Sequence, residues 1–282
     1  GVVSQPNTQQ GGGSPGGSCL EPNIGTITRH AQARLRALIC FEEDTMSSDD
    51  RPIGVMVEFQ IRPEAATTKE WLAEWSVRAD DALHGEPETS AYASALNEDD
   101  DHQVLVFERY QHGDRSLEAH MARPAHSVLT DTMGERNMTK RRVMTSRFHE
   151  LPDYGWWSRP DTDPTPAGAV VRLIGFHFDT DAQRDTFIER TREHAAYCWN
   201  NEPGTLVYSG GIAISDADRE IEQQSGDLVF VAVYADMAAA DTHNDDPRHV
   251  ALGEELARDE VMSAPAFRRT YITTGNGYLW KT

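Results

Sequence analysis

The chain has 282 residues, of which 46 are acidic and 26 basic, and carries a formal net charge of −20. Such a surface repels phosphate backbones and anionic lipid, which argues against nucleic-acid and membrane partners. No apolar run approaches the roughly 20 residues of a bilayer span, so a cytoplasmic protein is expected. The hydrophobic fraction of 38% is low, yet six Trp, eight Tyr and regular apolar patterning predict folded domains with polar extensions.

Residues 1–52 read as a flexible extension. They open on the Gly/Ser/Gln-rich "GVVSQPNTQQGGGSPGGS" and pass through a short basic, apolar stretch to Met46, which is expected to begin the native domain. "IGVMVEFQIRP", Ile53–Pro63, alternates with period two and predicts a strand. "TTKEWLAEWSVRADDALHG" sets Thr67 and Glu70 at capping-box spacing and puts Trp71, Trp75, Ala79 and Leu83 on one helical face, ending at Gly85. A short strand through Tyr92, the acidic turn "NEDDDH" and the strand "QVLVFERY" follow. A second helix is expected from about Arg115 to Met133, with Pro124 breaking or restarting it, and then a closing strand "RRVMTSRF".

The same order recurs. A shift of 116 residues aligns Val55 with Val171, Ala79 with Ala195, and Glu86, Pro87, Thr89 and Tyr92 with Glu202, Pro203, Thr205 and Tyr208. A shift of 123 aligns "LVF" at 105–107 with "LVF" at 228–230, and His120, Pro124 and His126 with His243, Pro247 and His249. The difference implies a seven-residue insertion in the polar loop "SDADREIEQQSGD". Two βαββαβ repeats are therefore expected, 53–150 and 169–282. The linker between them, 151–168, carries aromatics suited to docking on the sheets. The fold class is α+β: two ferredoxin-like repeats whose antiparallel sheets pack through their open faces, so that one chain does what single-repeat proteins do by dimerising.

An opening strand, a helix leading to "EPxT-x-x-Y", the strand "VFERY" and "L-x-A-H-x-x-x-P-x-H" resemble the antibiotic biosynthesis monooxygenase family of dimeric α/β-barrel proteins, here in tandem. The resemblance implies a cofactor-independent oxygenase of secondary metabolism, using no metal, flavin or haem. An aromatic polyketide of the anthrone or phenol type would be deprotonated in a pocket between sheet and helices and react with dioxygen. Isomerases, cyclases, decarboxylases and non-catalytic binding proteins share this architecture, and a homodimer is also open. Haem-degrading relatives carry a ligand histidine one turn beyond His126; Thr130 and Gly253 occupy that place here, which disfavours haem.

Among individual residues, His120 and His126 lie six apart, about 120° around a helix, and lack the spacing of a metal pair. No metal site is expected. Glu108 shares a strand face with Val106 and Tyr110, and a carboxylate there would be either paired with an arginine or raised in pKa, the latter suiting proton abstraction. Structural use of the histidines, at a helix end or on a backbone carbonyl, is favoured over catalysis; if the site is catalytic, the expected group is His120, Glu108 and Tyr110. The second repeat carries Val231 and Val233 at the aligned positions. Trp71, Trp75, Tyr92, His126, Arg172, His177, Tyr208 and His243 are candidates for substrate binding, although core packing is the favoured role of the Trp pair and anchoring of the short second strand an equally good one for Tyr92 and Tyr208. Arg78 and the "NEDDDH" turn read as solvated, and Cys198 as a small buried hydrophobe. Cys19, Cys40 and Cys198 form neither a disulfide framework nor a zinc motif.

Overall fold

The structure, a computed structural model, describes residues 50–217, 220–261 and 265–282. Met46 and most of the expected extension lie outside the described residues. The elements run β1 (Ile53–Ile61), α1 (Thr68–Gly85), β2 (Thr89–Asn97), β3 (Gln103–Tyr110), α2 (Gly113–Met121), α3 (Pro124–Glu135) and β4 (Thr139–Glu150). The order then repeats as β5 (Ala167–Phe176), α4 (Asp181–Asn201), β6 (Thr205–Ala213), β7 (Leu228–Tyr234), α5 (Met237–Asp245), α6 (Pro247–Arg258) and β8 (Phe267–Tyr278).

Local chemistry sets these boundaries. Thr67 and Glu70 form the expected capping box, and Thr180 and Gln183 form another at the start of α4. The single second helix expected in each repeat is two helices. Pro124 and Pro247 sit in the first turns of α3 and α6, where a missing N–H costs nothing, and each restarts the helix at a new angle.

The eight strands close into one antiparallel barrel in the order β1-β3-β2-β8-β5-β7-β6-β4. β8 pairs with β5 along its first part and with β2 along its second, from Asn97↔Tyr271 to Tyr92↔Tyr278. β4 pairs with β1 and ends on β6, from Phe148↔Ala213 to Glu150↔Gly211. The interior is filled by Met56, Phe107, Phe148, Val171, Val231 and Tyr271, with Ala91, Ala93 and Ala95 making room on β2. One carboxylate is buried with them. Glu58 accepts hydrogen bonds from Asn97 Nδ2 (3.0 Å) and the Tyr271 hydroxyl (3.1 Å), so a charge-bearing group of β1 is tied to β8. The helices cover the outer faces of the strands, forming one apolar layer around Trp71, Trp75 and Tyr92 and another around Phe187, Tyr208 and Phe230.

The segments after β4 and β8 exchange partners as well. Arg159 donates to the carbonyls of Trp199 (3.2 Å), Glu202 (3.2 Å) and Thr205 (2.8 Å), covering the C-terminal end of α4. Lys281 Nζ donates to the carbonyls of Ala82 (3.1 Å) and Glu86 at the end of α1. The linker aromatics dock as expected: Trp156 pairs its backbone with Tyr208, and Trp157 stacks on Phe148. The loop read as polar instead turns partly inward, burying Ile221 and Gln223 against the barrel.

The barrel also corrects the internal alignment. Tyr92 pairs with Glu108 and Tyr208 with Ala232, while Thr89 and Thr205 pair with Tyr110 and Tyr234. The structural counterparts of Glu108 and Tyr110 are therefore Ala232 and Tyr234, not Val231 and Val233, which face the barrel interior. The similar "LVF" runs match one residue out of register, and a one-residue slip exchanges the faces of a strand.

Gly277 makes the β2–β8 crossing close. It lies at φ +78°, where a Cβ would meet the Tyr92 carbonyl oxygen at 2.0 Å. Gly277→Ala is expected to cost more than about 1 kcal/mol in urea unfolding; an unchanged midpoint would show that the strands can separate freely there.

Candidate functional site

The repeated E-P-x-T and His motifs meet at the C-terminal end of the long helix in each half. Glu86 Oε2 is contacted by His120 Nδ1 (2.8 Å) and accepts from the Thr89 hydroxyl (2.5 Å). Glu202 Oε2 is contacted by His243 Nδ1 (2.8 Å) and accepts from the Thr205 hydroxyl (2.9 Å). All four Glu and His side chains are buried. In the first half a third member joins them. Arg78 is 1% exposed, not solvated, and its Nη2 binds Glu86 Oε1 and lies 2.7 Å from His120 Nδ1. Burial alone would raise the Glu86 carboxyl, but His120, Thr89 and the Arg78 guanidinium outweigh it and hold it at about 2.

Beside this cluster lies a cavity of about 330 Å³ between the sheet and the helices α1 and α3. Trp71, Trp75, Phe59 and Tyr92 form aromatic walls, Leu129 and Met133 close the helix side, and Glu108 and His126 supply the ionisable groups. The Tyr110 hydroxyl donates to Glu108 Oε2 at 2.7 Å. Burial raises the Glu108 carboxyl despite the opposing His120 charge and the Tyr110 donor. Burial also lowers His126, leaving a neutral imidazole at pH 7 whose Nδ1 has no partner among the described residues.

The second half holds a cavity of about 200 Å³ lined by Arg172, His194, Tyr208, Tyr234, His243 and His249. Ala232 stands where the first half has Glu108, so no carboxylate enters this cavity from the strand. Three imidazoles, of His194, His243 and His249, line it together with the Arg172 and Arg268 guanidiniums. His249 Nδ1 and His194 Nε2 are 3.2 Å apart, and burial, reinforced by the neighbouring His243, holds both residues down to about 4.

The expected site residues thus divide. Glu108, Trp71, Trp75, Tyr92 and His126 line the first cavity, while Arg172, Tyr208 and His243 line the second. His120 and Tyr110 line neither: His120 packs against Tyr92 and Tyr110 and is held by the Glu86 contact, and the Tyr110 hydroxyl is taken up by Glu108. His177 lies outside both, on Asp227 at 2.8 Å. Sequence reasoning missed Arg78, Glu86, His194 and His249 as site-forming groups. The signal was the helix alignment itself, which places His194 opposite Arg78.

Residues 52–129 match the family model described as antibiotic biosynthesis monooxygenase. Among solved structures, a candidate monooxygenase of Lactobacillus acidophilus is similar at 16% identity, TM-score 0.61, over 83% of this chain and 100% of that one. Another from Fusobacterium nucleatum gives 12% identity and TM-score 0.60 over 83% and 99%. An anthrone oxidase-like protein gives 16% identity and TM-score 0.51 over 81% and 93%. These likenesses establish the barrel fold across most of the chain. No curated protein matches it. Among the described residues no helix is long and apolar enough to cross a membrane.

The Glu86 cluster generates a pH prediction. Its folded pKa of about 2 lies below the ordinary 4.5, so the stability it contributes is present above pH 4.5 and lost as pH falls towards 2. Glu86→Gln should remove that component, on the order of 3 kcal/mol, and flatten the acid limb of the stability profile. Parallel acid limbs for the two proteins in urea titrations would refute the assignment.

Proposed function

We propose that the first cavity is the active site of a cofactor-independent oxygenase acting on a planar phenolic substrate of the anthrone type. The observation that carries this reading is Glu108, a carboxylate raised by burial and held by Tyr110, facing a cavity walled by Trp71, Trp75 and Tyr92. The volume falls within the range of ligand cavities, about 300–1,000 Å³. Aromatic walls favour a flat, apolar ring system.

In this reading Glu108 takes a proton from the activated carbon of the bound substrate. A carboxylate in an apolar site is a stronger base than one in water, and the same environment disfavours leaving two charges apart. The resulting carbanion gives an electron to dioxygen, and recombination forms a carbon–oxygen bond as a peroxide. Loss of water then leaves the ketone. The substrate loses two hydrogens and gains one oxygen, and the second oxygen leaves as water, so no external reductant enters. His126 supplies the polar contact to the developing peroxide, and the apolar walls keep water from quenching the carbanion. Tyr110 positions the carboxylate, while His120 holds the helix end beneath it.

This division of roles is testable with the full chain, using an anthrone and an oxygen electrode in the presence of chelator. Glu108→Gln should lower oxygen uptake at least about 100-fold, the scale of a lost general base. His120→Ala should lower the urea midpoint while turnover by the folded fraction stays within a few-fold. Uptake by wild type that tracks His120 and ignores Glu108 would overturn the assignment of the base. Rearranged product without oxygen uptake would point instead to an isomerase.

A further inference from the structure

We infer that the second half of the chain holds a divalent transition-metal site, of the zinc type, formed by His194, His243 and His249 at the rim of its cavity. Each histidine comes from a different helix: His194 from α4, His243 from α5 and His249 from α6. One ligand atom of each lies within 4.8 Å of the other two. The 3.2 Å between His194 Nε2 and His249 Nδ1 is close to the edge of a tetrahedron with metal–nitrogen bonds of about 2.0–2.1 Å. His243 Nδ1 rests on Glu202 at 2.8 Å, the carboxylate–histidine arrangement that fixes a ligand ring and leaves its other nitrogen for the metal. All three imidazoles line the cavity, so a bound ion would keep a coordination position facing it.

The two halves of the chain supply an independent argument. In the first, the Arg78 guanidinium binds both the Glu86 carboxylate and the His120 side of the cluster. In the second, His194 occupies the aligned helix position and brings no fixed charge. The Glu202 oxygen corresponding to the one Arg78 holds, Oε1, is buried without a hydrogen bond of normal geometry among the described residues, with the Cys198 thiol as the polar group acting on that carboxylate. A carboxylate buried to that degree calls for a cation. Replacing a guanidinium by an imidazole, with a second imidazole 3.2 Å away, exchanges a permanent cation for a place to bind one. Cys198 Sγ, 3.4 Å from His194 Nε2, is a further donor beside the site, and its counterpart in the first half is Ala82.

The test is equilibrium dialysis of the chelator-stripped full chain against Zn²⁺ alone, with Co²⁺ as a visible reporter of coordination geometry. Wild type should take up a single tight equivalent and, with Co²⁺, show the intense d–d bands of a tetrahedral centre. His194→Arg rebuilds the arrangement of the first half and should fold normally by near-UV circular dichroism while losing at least about 100-fold in affinity. His249→Gln is a second ligand variant with the same expected loss, so that either folded variant decides the matter. Glu202→Gln should weaken binding about 10–100-fold. Absence of a stoichiometric equivalent in wild type would overturn the inference. So would wild-type binding by folded His194→Arg or His249→Gln, which would place the ion elsewhere, such as the partly exposed Asp100, Asp101 and His102 group.

Discussion

A four-stranded antiparallel sheet with helices on one side leaves its other face bare, and the covering of that face governs the rest of the molecule. Here the two bare faces curl into one closed barrel, filled by Phe107, Phe148, Tyr271 and the small side chains that fit around them. Closure is achieved by exchange. β8 begins on β5 and ends on β2, β4 ends on β6, and the cations beyond them, Lys281 and Arg159, each cover the helix end of the other half. Neither half can bury its inner face without the other, which ties the stability of both to one interface.

Because the barrel interior is occupied by side chains, the two cavities lie in the outer layers, between strands and helices. There the two halves keep a common Glu–His–Thr cluster that ends the long helix and diverge around it. The first keeps Arg78 as the permanent counter-charge and adds Glu108 to an aromatic cavity. The second puts Ala232 at the Glu108 position and His194 at that of Arg78, turning an ion-paired cluster into a group of imidazoles. Duplication thus preserves the groups that hold the helix ends and frees the neighbouring positions to differ.

Much of the fold was legible in the sequence, because period-two strands, the Thr67 capping box and the spacing of the repeat are local signals. Pro124 and Pro247 announced a break, though not that the helix restarts as a separate element. Register was harder. Two "LVF" runs look alike in any alignment, and only the pairing of Tyr92 with Glu108 and Tyr208 with Ala232 shows them one residue apart. The surroundings of the site residues were legible only in part. The outward-facing position of Glu108 followed from strand alternation, but the burial of His120 against Glu86 did not, because that contact comes from a residue 34 positions away. Arg78 looked like an ordinary polar helix residue, since nothing local reveals that Glu86 and His120 enclose it.

The central claim is that Glu108 is a base poised against a bound aromatic acid, and the most direct measurement is the anaerobic absorption spectrum of an anthrone bound to the protein. Without dioxygen the reaction stops after proton transfer. Wild type should then display the spectrum of the substrate anion at a pH where the free compound is neutral, while Glu108→Gln binds the same compound in its neutral form. Equal anion formation by both proteins would contradict the account.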